Sequence, residues 1–70
     1  MPTNQKYSQR IHSRRQLIRA SEHVRNASTI MCDVGLRYET ALPTVSQACD
    51  KLNDMLVMCD ALIRDIREGV

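Results

Sequence analysis

The sequence predicts an all-α protein of two to three helices, with a break near residues 35–40. Two apolar stripes repeat at helical spacing, and a glycine and a proline lie between them. The chain is 43% hydrophobic but has no Trp or Phe to thicken a core. Its 70 residues form one small domain with a marginal core of its own. We therefore expect helices of a partner to complete the fold.

The first predicted helix follows a segment, residues 1–8, that we expect to be flexible. Thr3 or Asn4 could cap this helix, because a short side-chain oxygen can accept a free backbone N–H. An apolar stripe then runs in steps of three and four, which is typical of heptad packing. Its members are Leu17, Ala20, Val24, Ala27, Met31, Val34 and Tyr38. The next heptad position holds small residues, namely Ser21, Ser28 and Gly35, so the apolar face is narrow.

Gly35 and Pro43 predict the break. Glycine inside a helix costs about 1 kcal/mol relative to alanine. Proline deep in a helix costs about 3 kcal/mol and moves the preceding residue away from helical angles. Both costs vanish if Gly35 lies just past the first helix and Thr40 is the N-cap of the second. The stripe nevertheless continues in phase through Ala41, so one long helix is the alternative.

The second predicted helix has a wider apolar face than the first. Its stripe consists of Val45, Ala48, Leu52, Met55, Cys59, Leu62 and Ile66. The next heptad position is also apolar and holds Leu42, Cys49, Leu56 and Ile63. One helix of the same short chain cannot cover such a face, so we interpret it as a partner surface. The expected anchors are Leu52, Leu56, Ile63 and Ile66, with Leu36 and Leu42 closing the turn.

No pattern in the sequence predicts a catalytic, cofactor or metal site. His12 and His23 lie among arginines, whose positive charge disfavours a metal ion. The second helix carries Asp50, Asp54, Asp60, Asp65 and Glu68, which we place mainly on its polar side without an acid–base pair. Two glycines in all are too few for a phosphate-binding loop. We therefore expect neither an enzyme nor a cofactor.

The cysteines predict a reducing compartment. Cys32, Cys49 and Cys59 are odd in number, form no CxxC pair and follow no apolar signal region. We interpret each as a free thiol that packs as a small buried hydrophobic residue. No apolar run approaches the roughly 20 residues of a membrane span.

Basic residues concentrate in the first third of the chain. Residues 1–25 hold six basic residues and one acidic residue, whereas residues 26–70 hold four and seven. Arg10 and Arg14 are spaced i, i+4, as are Arg15 and Arg19, and could line up against nucleic-acid phosphates. Tyr7 is their only aromatic neighbour, so nucleic acid is the weaker interpretation, as is a mitochondrial presequence. We favour a solvated basic face that docks on an acidic protein.

Three segments resemble a known family. They are Gly35–Thr40 (GLRYET) with Ala41–Leu42 after it, the pair Cys49–Asp50, and Leu62–Glu68 (LIRDIRE). These are similar to the Gly-Leu-x-x-Glu-Thr-Leu, Cys-acid and Val-Ile-Lys-Glu-Leu-Arg-Lys pieces of the mitotic-spindle organising (MOZART) proteins. The match covers about half of the chain. It needs two single-residue insertions, and Leu52–Met55 stands where the family has a second helix break.

The resemblance implies a function in microtubule organisation. Family members are very small all-helical proteins without a catalytic site. They bind helical N-terminal extensions of gamma-tubulin complex proteins and help to assemble, recruit or activate the complex that nucleates microtubules. For this chain the resemblance implies a hetero-oligomer in the cytoplasm, at the cytoskeleton and the microtubule-organising centre.

A nearly continuous helix would indicate a different class of protein. The chain would then look like a subunit of an elongated coiled-coil assembly, of the organelle-biogenesis or kinetochore type. The segment from Gly35 to Pro43 discriminates between the two, since a true turn favours the compact module and a continuous helix favours the rod.

Overall fold

The computed structural model describes the backbone of residues 2–70 and the side chains of residues 7–70. In this range the chain forms two α-helices, α1 (Pro2–Arg37) and α2 (Pro43–Gly69), which pack against each other. The predicted all-α fold is confirmed. Arg14, in the N-terminal half of α1, donates a hydrogen bond of 3.1 Å from Nε to the carbonyl oxygen of Val70 at the end of the chain. The two helices are therefore antiparallel and form a hairpin.

The break between the helices is confirmed, but it lies later in the chain than predicted. α1 continues past Gly35 to Arg37, and a turn over residues 38–42 follows. The amide of Leu42 donates to the carbonyl oxygen of Tyr38 at 2.9 Å, which closes the turn. Gly35 has no positive φ, so it is not the predicted helix-ending residue.

The start of α2 also differs from the prediction. Leu42 holds the N-cap position with φ −137° and ψ 72°, and its side chain makes no capping hydrogen bond. Thr40 lies within the turn and is not the cap. Pro43 is the first residue of α2, where its missing N–H leaves no helical hydrogen bond unmade. Since proline excludes helical angles from the residue before it, Pro43 places the break directly at Leu42.

The hairpin is long and thin. Its principal extents are 61 × 14 × 10 Å, and its radius of gyration is 16.9 Å. A compact chain of this length would have a radius of gyration of about 11 Å. α1 has 36 residues and α2 has 27, so α1 extends beyond the end of α2. α1 includes the backbone of Pro2–Ser8 in the segment predicted to be flexible, whereas Met1 and the proposed caps Thr3 and Asn4 lie outside the described side chains.

The two helices meet along a narrow seam. From α1 the seam residues are Leu17, Ser21, Val24, Ser28, Met31 and Gly35, all buried or half-buried. From α2 they are Ser46, Cys49, Asn53, Leu56, Asp60, Ile63 and Arg67. Both sets follow steps of three and four, as in a coiled coil. No large side chain among residues 7–70 is fully buried, so the seam is a thin core.

The two predicted stripes differ in how deeply the structure buries them. Most of the first stripe is half-buried, and three of its residues, Leu17, Val24 and Met31, lie in the seam against α2. Every member of the second stripe is exposed, because α2 packs on α1 through the neighbouring heptad positions. The cysteine prediction is wrong in part for the same reason. Cys49 is buried in the seam, whereas Cys59 on the second stripe and Cys32 on α1 are exposed.

Candidate partner-binding surface

The exposed stripe of α2 covers one side of the hairpin. Each of its residues precedes a seam residue by one position, so the stripe is turned about 100° around α2 from the seam. Its members are Val45, Ala48, Leu52, Met55, Cys59, Leu62 and Ile66. The five largest side chains of this α2 stripe are between 40% and 61% exposed. An apolar row of this length is unusual on the surface of a monomer.

α1 adds small and apolar residues to the same side of the hairpin. Because the helices are right-handed and antiparallel, residues one position before the seam point to the same side on both of them. On α1 three of these positions are half-buried, namely Ala20, Ala27 and Val34, and three are exposed, namely Gln16, His23 and Ile30. We call this side, formed by the α2 stripe and the four apolar α1 residues, the apolar flank.

The opposite side of the hairpin is largely polar. It consists of residues one position after the seam, with Ile18, Glu22, Arg25, Thr29, Cys32 and Leu36 on α1 and Gln47, Asp50, Asp54, Val57, Ala61, Arg64 and Glu68 on α2. Two shallow grooves lie here, one of about 240 Å³ beside Arg25 and Val57 and one of about 230 Å³ beside Cys32 and Asp50. We call this side the polar flank. The whole hairpin is thus amphipathic across its width.

A ladder of small and polar residues in the seam sets the register of the two helices. Ser28 donates a hydrogen bond to the side-chain oxygen of Asn53. Seven residues further along α1, the carbonyl oxygen of Gly35 accepts a hydrogen bond of 2.8 Å from Ser46, which lies seven residues before Asn53. Because these contacts are specific, a slip of one helix along the other would leave buried polar groups unpaired.

Asp60 is the third rung of this ladder. Its Oδ2 lies 3.4 Å from Nε of Arg25 across the seam and 3.2 Å from the guanidinium of Arg64 on the same helix. The neighbouring Ser21 hydroxyl, followed by these two arginines, lowers the pKa of Asp60 although its partial burial opposes them. Its Oδ1 is buried and accepts no hydrogen bond from the described part of the chain. Asp60 therefore joins the helices. This corrects the prediction, which placed it on the polar side of α2.

The six predicted anchor residues do not share one surface. Leu52 and Ile66 lie on the apolar flank, as a partner surface requires. Leu56 and Ile63 are half-buried in the seam, so they hold α1 and α2 together. Leu42 is half-exposed at the turn, and Leu36, at 71% the most exposed of the six, lies on the polar flank. The heptad pattern predicted the wide face of α2 but not which part of it α1 covers.

Two other kinds of site are absent from the described part of the chain. Within residues 7–70, no three His, Cys, Asp or Glu side chains are grouped as metal ligands. Neither helix, over the range described, combines the length and the hydropathy needed to cross a bilayer.

Comparison with known proteins adds no relative. No protein family, curated protein or solved structure matches this chain. The class of molecule that the geometry defines is an amphipathic α-hairpin with one apolar flank. Its functional interpretation rests on that flank and on the sequence.

Proposed function

We propose that this chain is a non-enzymatic helical adaptor whose hairpin joins a bundle with helices of a partner protein. The observation that carries the proposal is the exposure of the entire α2 stripe. From Val45 to Ile66 the stripe is about 32 Å long, which is enough to receive a helix of six turns. Such a helix would fill the groove between the α2 stripe and the small residues Ala20 and Ala27 of α1. Burial of this apolar surface would stabilise both proteins.

The proposed partners are the N-terminal helical extensions of gamma-tubulin complex proteins. This part of the proposal draws on the resemblance of Gly35–Thr40, Cys49–Asp50 and Leu62–Glu68 to the MOZART family. The turn over residues 38–42 supports a compact module, because it places two helices side by side. In this role the chain supports assembly and recruitment of the microtubule-nucleating complex in the cytoplasm, at the microtubule-organising centre.

Two observations favour a second candidate. α2 is unbroken through Leu52–Met55, and the hairpin is 61 Å long. A long, thin hairpin suits a subunit of an elongated coiled-coil assembly, of the organelle-biogenesis or kinetochore type. Both candidates use the apolar flank, and they differ in the proteins that cover it.

The first experiment is capture of the tagged chain from cell extract at moderate salt, with the bound proteins identified by mass spectrometry. We expect gamma-tubulin and its complex proteins to be retained. Direct binding to a purified N-terminal extension of such a protein should then follow. A set of small coiled-coil subunits without gamma-tubulin would reject the microtubule proposal in favour of the elongated assembly.

Two variants link the captured proteins to the apolar flank. Leu62→Asp places a charge on the α2 stripe and should abolish retention, because an unpaired charge resists burial. Val57→Asp is the matched control, since Val57 is 58% exposed and Leu62 is 59% exposed, but Val57 lies on the polar flank. Equal retention by the two variants would show that the apolar flank is not the binding surface. Circular dichroism of both variants checks that the hairpin is still helical.

A further inference from the structure

We propose that the free chain forms an antiparallel dimer with a second copy of itself, through the α2 stripe and the rest of the apolar flank. The product is a four-helix bundle in which the two α2 helices lie side by side about a two-fold axis. This inference concerns the purified chain and does not depend on the identity of the partner proposed above.

The angle between the seam and the α2 stripe suits such a bundle. A helix at one corner of a square four-helix bundle contacts two neighbours at directions about 90° apart. α2 presents the seam in one direction and the stripe about 100° away. A second α2 can therefore pack on the stripe while α1 stays in the seam. The two α1 helices then meet through Ala20 and Ala27, with the exposed His23 between them.

The spacing of the α2 stripe is suited to an antiparallel copy. With the two-fold axis level with Val57, Ile66 lies opposite the partner's Ala48, so a large stripe residue meets the smallest. In the same register Leu62 lies opposite the partner's Leu52, and Cys59 opposite the partner's Met55. These are the mixed layers that two antiparallel heptad repeats form. All the stripe residues except Val45 lie in these layers, and the two-fold axis places each of them in the interface once from each copy.

The charges beside the stripe select the same register. Lys51, Met58 and Asp65 follow one another at intervals of seven along one edge of the stripe, and all three are exposed. In the antiparallel dimer Lys51 lies beside the partner's Asp65, and the two-fold axis repeats this ion pair. Met58 meets the partner's Met58 at the axis, which covers a side chain that is 66% exposed in the single hairpin.

The distribution of charge along the hairpin also favours the antiparallel orientation. The end near Arg14 is basic, since residues 1–25 hold six basic residues and one acidic residue. The end near the turn is acidic, because residues 33–54 hold four acidic residues and two basic ones. An antiparallel copy brings Arg15 level with the partner's Asp33, whereas a parallel copy would place like charges together.

The dimer would keep the apolar flank from water until a partner binds. A partner helix and a second copy occupy the same surface, so the two complexes exclude each other. The fraction of the chain that is monomeric then sets the apparent affinity for the partner.

The mass of the purified chain in solution tests the dimer. Sedimentation equilibrium at about 100 µM should give twice the 8.0 kDa of one chain. Lys51→Asp and Asp65→Lys, each alone, should weaken dimerisation about tenfold or more, because each places like charges together at two symmetric positions. An equimolar mixture of these two variants should dimerise as tightly as the wild type. In the mixed dimer the introduced Asp at 51 meets the introduced Lys at 65 at one position, and the native Asp65 meets the native Lys51 at the other.

The control is Asp54→Lys, which changes the charge by the same amount on the polar flank and should leave the dimer intact. A monomeric wild-type chain would overturn the proposal, as would a trimer or tetramer. A mixture of the two variants that dimerises no better than either one alone would overturn the antiparallel register. None of these results depends on capture of gamma-tubulin complex proteins, so the two proposals can fail separately.

Discussion

The hydroxyl of Ser46 donates a hydrogen bond of 2.8 Å to the backbone carbonyl oxygen of Gly35, across the buried end of the seam. In a continuing helix that carbonyl would accept the amide of Glu39, but this amide donates to Leu36 at 3.4 Å. Ser46 therefore satisfies a carbonyl that the end of α1 leaves free. One side chain of α2 thus completes the hydrogen bonding of α1.

Ser46→Ala should lower the free energy of unfolding by about 1–3 kcal/mol, because it leaves a buried carbonyl unpaired. Chemical denaturation followed by circular dichroism, at one fixed chain concentration, measures this loss. Thr44→Ala is the control, since Thr44 is exposed two residues away and its replacement should change stability by about 0.5 kcal/mol or less. Equal losses in the two variants would contradict a bridging role for Ser46.

Gly35→Leu should destabilise the hairpin, because a Cβ atom at this position would lie 3.3 Å from Cβ of Cys49. Filling such a contact with a large side chain costs about 1–3 kcal/mol. Gly35→Ala should be nearly neutral, since its gain of about 1 kcal/mol in helix propensity opposes the tight contact. Thermal unfolding compares both variants with Gly69→Leu, where nothing lies within 4 Å. A Gly35→Leu chain as stable as Gly69→Leu would reject the close approach.

Asp60→Asn should destabilise the hairpin at about pH 7 but not in strong acid. The pKa of Asp60 is lowered from its ordinary value of 3.8, so the ionised form is favoured in the folded state. Its contribution is present above the unfolded pKa and is lost as pH falls through the folded one. The melting temperatures of the variant and the wild type should therefore converge once the pH falls below 3.8, the ordinary pKa of an aspartate. A constant difference across the pH range would show that the charge of Asp60 is not involved.

Helices on both sides of a break could be predicted from the sequence, although the prediction allowed two or three of them. Heptad spacing indicates helices, and Pro43 prevents Leu42 from adopting helical angles. The exact turn could not be predicted, because Gly35 has two uses that look the same in a sequence. It can end a helix, or it can admit a neighbouring helix, and only the position of Cys49 shows that the second applies.

The packed face of α2 was harder to predict than its helical structure. The α2 stripe and the adjacent positions of Leu56 and Ile63 are both apolar, so hydrophobicity alone does not choose between them. The choice follows from the small and polar residues of the seam, where Asn53 and Asp60 meet serines of α1. The signal for Asp60 was its spacing of seven from Asn53, which marks a common face.

Thiol labelling should distinguish the three cysteines. Cys32 is exposed and should react quickly with an alkylating reagent at any chain concentration, whereas buried Cys49 should react only on unfolding. Cys59 is exposed in the single hairpin but lies within the proposed dimer interface. Its labelling, followed by mass spectrometry of peptides, should slow as the chain concentration rises. A rate for Cys59 that is independent of concentration would argue against the dimer.

The thin seam has a thermodynamic consequence for the isolated hairpin. The heat capacity change of unfolding grows with the apolar surface that becomes hydrated, and no large side chain among residues 7–70 is fully buried. A single hairpin should therefore melt over a broad temperature range, with a small heat capacity step and a shallow dependence on denaturant. When the apolar flank is covered in an assembly, unfolding also hydrates that surface, so the heat capacity change grows. Assembly would therefore convert a gradual unfolding transition into a sharp one.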